Sequence, residues 1–245
     1  MRTGSTWTRK ACDAIAAVLL APSCAACRLP LEHPTAGAVC AACWRIPALP
    51  SPFCDACADP LLSWRAARDG GRCPRCHART TAVARTRAAG TYEGSLRAIV
   101  HALKFDGRRS LASGLSAIMR ARGADLLEDA DLAVPVPLHP WRHVLRGFNQ
   151  AAELARPLPL PAVRALRRIR HTSPQADLPA AQRHANIRGA FQVRRSVDVA
   201  GACIVLIDDV STTGATLEAC AQALLEGGAR EVRALIAARA VSRAP

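Results

Sequence analysis

The chain of 245 residues is long enough for one good-sized α/β core and a smaller satellite. Half of its residues are apolar, which argues against a disordered chain, and no apolar run approaches the ~20 residues that span a bilayer. The formal charge is +14, carried by 31 Arg and two Lys against 19 acidic side chains, so a polyanionic partner is favoured wherever that charge is concentrated.

Arg2, Arg9 and Lys10 precede an apolar stretch at 14–21, a rough imitation of a secretory signal. Asp13 stands at the start of that stretch, which is only eight residues long, and Cys24 has a better use in a cysteine pair. Trp7, Ala11, Ile15, Val18 and Leu19 fall on one helical stripe, so residues 1–22 are expected to form an amphipathic helix.

Eight of the 11 cysteines form four Cys-x-x-Cys pairs: Cys24/Cys27, Cys40/Cys43, Cys54/Cys57 and Cys73/Cys76, separated by gaps of 12, 10 and 15 residues. Each pair puts two thiolates on one turn of backbone, and two pairs complete a tetrahedral zinc site. Four pairs so close together do not fit a single redox motif, and a disulfide framework would need an exported chain. Residues 23–80 are therefore expected to hold two structural zinc ions, all eight ligands being Cys. Sequential pairing describes two consecutive ribbons; a cross-braced pairing, first with third and second with fourth, also satisfies the spacing. Eight thiolates and two zinc ions bring the formal +6 of residues 1–85 down to +2, which weakens the case for this module as a basic clamp. Trp44, Phe53, Trp64 and His77 either fill the small ribbon cores or offer stacking faces to bases.

Beyond residue 86 the cysteines thin out and strand and helix signals alternate. The pattern predicts a strand over 86–92, helices over 95–105 and Leu111–Arg122, and a short strand over 132–137 ended by prolines. A helix follows over 149–155, then an irregular Pro- and Arg-rich stretch over 157–190 with one helix near 180–187. A strand over 203–207, a helix over 214–225 stopped by Gly227 and Gly228, and a last strand over 232–238 complete residues 86–245. Such alternation predicts a parallel sheet with helices on both faces.

Two strand ends carry candidate chemistry, because open parallel sheets capture ligands there. The first is the loop of 137–150, where Arg142 and Arg146 are spaced to converge on one anion, Gly147 permits close backbone approach, and His139 is either a base or a structural hydrogen-bonding group. Residues 142–195 hold 11 Arg against Glu153 and Asp177, a local +9. The second is 204–216, in which Ile204 to Ile207 run into Asp208 and Asp209, then Ser211, Thr212, Thr213, Gly214 and Thr216 at a helix start. Orphan amides and the helix dipole favour an anion at such a turn. Two carboxylates beside it fit sugar hydroxyls or a divalent cation, so the implied ligand is a sugar phosphate. The turn lacks the G-x-x-x-x-G-K-[ST] pattern of a nucleotide-binding P-loop, and Ser211 has no His partner identifiable in the sequence. Cys203 and Cys220 are expected to be buried and without chemistry.

The segment 208–216 resembles the 5-phosphoribosyl-1-pyrophosphate (PRPP) motif of type I phosphoribosyltransferases. With the Cys quartets, Tyr92-Glu93-Gly94, His101-Ala102-Leu103-Lys104-Phe105, Pro135-Val136-Pro137-Leu138-His139-Pro140 and Arg146-Gly147-Phe148-Asn149-Gln150, the chain resembles the ComF (ComFC-type) family from about Cys24 onward. Arg170, Thr172, Gln175, Arg183, Asn186 and Arg188-Gly189-Ala190-Phe191 also match; Asp177, Pro179 and Gln182 depart from the family pattern. The resemblance implies a double zinc ribbon ahead of a type I phosphoribosyltransferase-like domain. It also implies a cytoplasmic role at the inner face of the inner membrane, handling incoming single-stranded DNA in natural transformation with helicase-type competence partners. On the matching positions, Asp208 and Asp209 would meet ribose hydroxyls, and Ser211, Thr212, Thr213, Gly214 and Thr216 would hold the 5-phosphate. Arg142 and Arg146 would face pyrophosphate, and Mg²⁺ would bridge pyrophosphate and ribose. A working Mg²⁺-dependent phosphoribosyltransferase with an unidentified acceptor is the alternative, and a purely structural zinc adaptor the third reading.

Overall fold

The computed structural model describes residues 4–68, 71–138, 147–170, 187 and 189–241. Six strands occur among them: β1 (Thr86–Ala88), β2 (Leu132–Pro135), β3 (Leu166–Arg168), β4 (Phe191–Val193), β5 (Cys203–Ser211) and β6 (Glu231–Arg239). The helices are α1 (Gly4–Leu20), α2 (Trp64–Arg68), α3 (Pro74–His77), α4 (Gly94–Phe105), α5 (Leu111–Arg122), α6 (Ala124–Leu127), α7 (Gln150–Ala155) and α8 (Ala215–Glu226), with a 3₁₀ turn at Pro34–Ala36.

The main sheet is parallel throughout, in the order β1-β6-β5-β2. Its two central strands read as near-continuous apolar runs because both faces are covered, the expected composition of a buried parallel sheet. Alternation along β5 divides the core. Val205 and Ile207 pack with Leu96, Ile99, Leu103, Leu115 and Met119 of α4 and α5. Ile204 and Leu206 pack on the other face with Leu217, Cys220 and Leu224 of α8. The expected α/β architecture is thus present. Two details differ. Strand β1 ends at Ala88, and the stretch expected to be irregular contributes β3, which pairs antiparallel with β4 (Leu166 opposite Val193) as a separate two-stranded sheet. The helix expected near 180–187 lies outside the described residues, apart from Ile187.

The cysteine module is an internal duplication. Pro22-Ser-Cys-Ala-Ala-Cys-Arg-Leu-Pro-Leu31 and Pro52-Phe-Cys-Asp-Ala-Cys-Ala-Asp-Pro-Leu61 sit thirty positions apart. The same turn folds twice: the Cys24 amide donates to Leu29 O at 2.8 Å and the Cys54 amide to Asp59 O at 2.6 Å. Arg28 and Ala58 share the left-handed conformation at φ +66° and +57°. The first copy joins the core under α4 and α5. Trp44 lies so close to Gly114 that a Cβ there would meet its ring at 2.6 Å, and Arg122 donates to Pro47 O at 2.9 Å. The second copy abuts the start of β1, where the Thr86 amide donates to Asp55 O and its hydroxyl to Ala56 O, both at 2.7 Å.

Helix α1 forms over Gly4–Leu20, but the C-terminal part of its apolar stripe is exposed. Ile15, Val18 and Leu19 are 59–82% exposed. The helix is docked instead through buried Asp13, whose carboxylate accepts from the Thr35 amide (2.9 Å) and hydroxyl (2.6 Å). No described helix is long and apolar enough to cross a membrane.

Candidate functional site

The thiols form two groups, Cys24/Cys27/Cys40/Cys43 and Cys54/Cys57/Cys73/Cys76, in each of which all four sulfurs lie within 4.8 Å of one another. Pairing is therefore sequential, and the cross-braced alternative is excluded. Tetrahedral bonding to zinc at about 2.3 Å places sulfurs about 3.8 Å apart. Cys27 and Cys40 are 3.9 Å apart and Cys57 and Cys73 3.8 Å, so the geometry fits zinc. Amides of Ala26 and Cys40 donate to Cys24 Sγ at 3.4 Å, and Arg75 Nη2 to Cys57 Sγ at 3.5 Å, interactions that stabilise thiolate character. With every position occupied by protein, such sites hold structure and leave no coordination position for a substrate.

At the other candidate site, β5 does not end at Ile207. Its pairing with β6 continues through Asp208↔Ile236 to Ser211↔Arg239, so both carboxylates project from a strand end and only residues 212–214 form the turn. Lys104 of α4 reaches Asp209 with a 2.9 Å ion pair. Each carboxylate also accepts from the next amide, Asp208 from Asp209 at 2.9 Å and Asp209 from Val210 at 2.7 Å. Burial pushes the Asp208 carboxyl up to about 7; the Asp209 charge adds to this, while the Asp209 amide and Lys104 oppose it. The strand end thus holds a carboxylate pair in which one member is charge-compensated and the other is poised near neutrality.

Gly214 has φ +79° at the N-cap of α8, a conformation in which other residues are strained, and a Cβ there would meet nothing within 4 Å. The turn is therefore open on its approach face. Thr213 Oγ1 accepts from the Ala215 amide at 3.4 Å. Asp208, Ser211, Thr212, Thr213, Gly214 and Thr216 line one hollow beside the turn, whereas Asp209, paired with Lys104, does not line it. Ser211 is set apart by one contact: it is buried, and its hydroxyl accepts from Arg239 Nη1 at 3.2 Å. Arg142, Arg146 and His139, and much of the Arg-rich 142–195 stretch, lie outside the described residues. Asn149 is placed, and its role is structural: its side chain donates to Val136 O (2.9 Å) and caps α7 by accepting from the Ala151 amide (3.0 Å). Cys203 and Cys220 are fully buried, and burial holds the Cys220 thiol well above its ordinary range.

Sequence reasoning passed over three residues here. Lys104 falls within the motif His101–Phe105; one of two lysines in a chain with 31 arginines, it carries a signal in its rarity. Arg239 at the end of β6 is 1% exposed, and its guanidinium donates to Ser211 O at 3.2 Å and to Thr212 O. It also pairs with Asp59 of the second ribbon at 2.5 Å, and Asp59 in turn pairs with Arg75 at 2.9 Å. The second zinc knuckle is thereby tied to the backbone of the 212–214 turn.

Three relatives share long stretches of this sequence. DNA utilization protein YhgH of Escherichia coli strain K12 is 34% identical over 220 residues, covering 86% of this chain and 93% of that protein. The chain belongs to the ComF family. Competence protein F of Haemophilus influenzae is 29% identical over 77% of this chain and 85% of its own length, and Competence protein ComFC of Bacillus subtilis 31% over 58% of each. The model of the phosphoribosyl transferase domain matches residues 145–244, which include β5, the 212–214 turn, α8 and β6. A phosphoribosyltransferase-like domain preceded by two four-cysteine clusters is the architecture of this ComF-family chain.

Proposed function

We propose that this protein handles incoming single-stranded DNA in natural transformation, using its phosphoribosyltransferase-like domain to hold a phosphoribosyl group. The observation that carries the reading is the carboxylate pair Asp208/Asp209, braced by Lys104, beside an open glycine turn at a helix start, in a chain whose relatives are named for DNA utilization and competence. Carboxylates accept hydrogen bonds from sugar hydroxyls, and the amides of a first helical turn, with Thr hydroxyls, receive phosphate oxygens. On this reading Asp208 and Asp209 grip the sugar. Thr212, Thr213, Gly214 and Thr216 receive the phosphate, and Ser211 shapes the turn through Arg239. Arg142 and Arg146 face the pyrophosphate of PRPP, with Mg²⁺ neutralising it. The two zinc ions hold the ribbons. The protein works in the cytoplasm at the inner face of the inner membrane, beside helicase-type competence partners.

The test is to titrate single-stranded DNA and Mg²⁺–PRPP, each with and without the other, on wild type and on Asp208→Ala/Asp209→Ala. Both ligands are expected to bind, DNA affinity falling steeply as salt rises, and the double variant losing PRPP. Absence of DNA affinity at low salt sinks the reading. A second reading, an active phosphoribosyltransferase, is favoured by the same carboxylate pair. Catalysis there needs little beyond charge stabilisation by Arg and Mg²⁺. Pyrophosphate release in the presence of a nucleobase would promote it.

A further inference from the structure

Helix α1 is held to the first ribbon by one side. Among its described side chains Asp13 alone is buried, and its carboxylate is taken up by the Thr35 amide and hydroxyl and by the His33 ring at 3.4 Å. At about 100° per residue, Ile15, Val18 and Leu19 share an arc of about 100° whose centre lies about 170° from Asp13. All three are exposed, as are Ala11, Cys12 and Ala14 beside them. Over residues 11–19 the side turned away from the ribbon therefore carries no charged group.

The charged residues of the helix are Arg9, Lys10 and Asp13. Asp13 is bonded inward, so the charge left to the helix is basic, with Lys10 at an exposed position. On the first ribbon, exposed Arg28 and Glu32 offset each other. An apolar stripe with basic residues and no unbonded acid complements a surface that is apolar within and anionic at its rim. A second copy of the chain is a poorer match. The stripe from Ala11 to Leu19 is about 12 Å long and about 10 Å wide, whereas a stable protein interface buries about 800 Å² on each side. Nor does the helix suit a crossing, since its 17 residues include Asp13 and a span takes ~20 apolar ones.

We propose that α1 lies along an anionic phospholipid surface, with Ile15, Val18 and Leu19 inserted at the acyl boundary and Lys10 among the headgroups. The Asp13–Thr35 contact then fixes the first ribbon to the bound helix, and the chain is held at the surface through a docked element. The proposal rests on the reading that the protein works at the inner face of the membrane, and it names the surface that makes contact there.

The experiment is co-flotation of the full zinc-loaded chain with phosphatidylcholine vesicles, with and without phosphatidylglycerol. Binding is expected with phosphatidylglycerol, weakening as salt rises, and about tenfold or more weaker on phosphatidylcholine alone. Val18→Gln/Leu19→Gln leaves the charge unchanged and should weaken flotation at least about tenfold by withdrawing two apolar side chains. Zinc content and the unfolding midpoint should stay as in wild type, because both positions are exposed. Val18→Leu/Leu19→Ile should float as wild type does, and Lys10→Gln about fivefold more weakly, the loss of one basic side chain near an anionic surface. A wild-type chain that ignores phosphatidylglycerol vesicles, or a Gln variant that floats equally well, overturns the proposal. A wild-type dimer that the Gln variant splits into monomers overturns it in favour of a second copy. Single-stranded DNA and Mg²⁺–PRPP should bind the Gln variant as they bind wild type. Failure of flotation with those affinities intact leaves the DNA-handling reading standing, whereas a chain that floats but binds neither ligand sinks that reading alone.

Discussion

Arg239 ties the second ribbon to the turn, and replacing it tests whether that tie is energetic or merely geometric. In Arg239→Met the apolar stem persists and the guanidinium is lost. The guanidinium is buried, pairs with Asp59 at 2.5 Å and donates to Ser211 O at 3.2 Å. Removing one partner of a buried pair costs about 3–5 kcal/mol. Asp59 keeps Arg75 at 2.9 Å and its side chain is 25% exposed, so the lower end, about 3 kcal/mol, is expected. Asp59→Asn leaves Arg239 its Ser211 and Thr212 acceptors and should cost about 1–2 kcal/mol. Because the two residues share one interaction, the double variant should fall short of the sum by about 1–2 kcal/mol. Urea unfolding of zinc-loaded protein at pH 7, followed by tryptophan fluorescence, measures all four corners. Additivity within about 0.5 kcal/mol would refute the coupling, and a silent Arg239→Met would refute the burial argument as well.

Asp208→Asn should stabilise the protein at pH 8 by up to about 4 kcal/mol and leave it nearly unchanged at pH 4. The carboxyl is raised from its ordinary 3.8 to about 7. Between those values the native state keeps a proton that the unfolded chain releases, so stability falls as pH rises through the window by about 1.4 kcal/mol per unit; equal urea midpoint shifts at both pH values would disprove this. Cys27→Ser and Cys57→Ser should each lower bound zinc from two ions to one, read by metal analysis. Cys57→Ser should weaken Mg²⁺–PRPP the more strongly of the two, because Asp59 and Arg75 belong to that knuckle. Gly114→Ala drives a Cβ to 2.6 Å from Trp44 and should cost about 1–3 kcal/mol in thermal unfolding. Adding Trp44→Phe removes the obstructing atoms and should recover part of that loss.

The cysteine quartets were legible because metal ligation fixes spacing, and β5 and β6 because burial on both faces leaves an unbroken apolar run. The end of β5 was misread for a related reason. Apolar character stops at Ile207, but backbone pairing with β6 does not depend on side-chain polarity and carries Asp208 to Ser211 into the strand. The three-residue strands β3 and β4 are too short for a period to register. Asp59 and Arg239 are 180 positions apart, and among 31 arginines nothing local marks Arg239 as buried. The thirty-residue duplication was present in the sequence; comparing one Cys-x-x-Cys pair with another by spacing alone passes over the flanking prolines and leucines that reveal it.

That duplication explains why two nearly identical knuckles bear differently on the same strand end. At the fifth position after the first cysteine, one copy carries Leu29, which is 65% exposed, and the other Asp59, which holds both Arg75 and Arg239. A zinc-clamped turn is stiff, so a carboxylate mounted on it fixes whatever cation it binds. Through Arg239 that stiffness reaches Ser211 and Thr212. The first copy, with no carboxylate there, packs Trp44 under α5 and shares a core with α4, whose Lys104 holds Asp209. Metal in the first cluster would thus support Asp208 and Asp209 through helix packing, while metal in the second would support the adjoining turn through charge. The strand end is braced from two sides by the two cysteine modules, and among the described residues it is the second module that lines the hollow between itself and the turn.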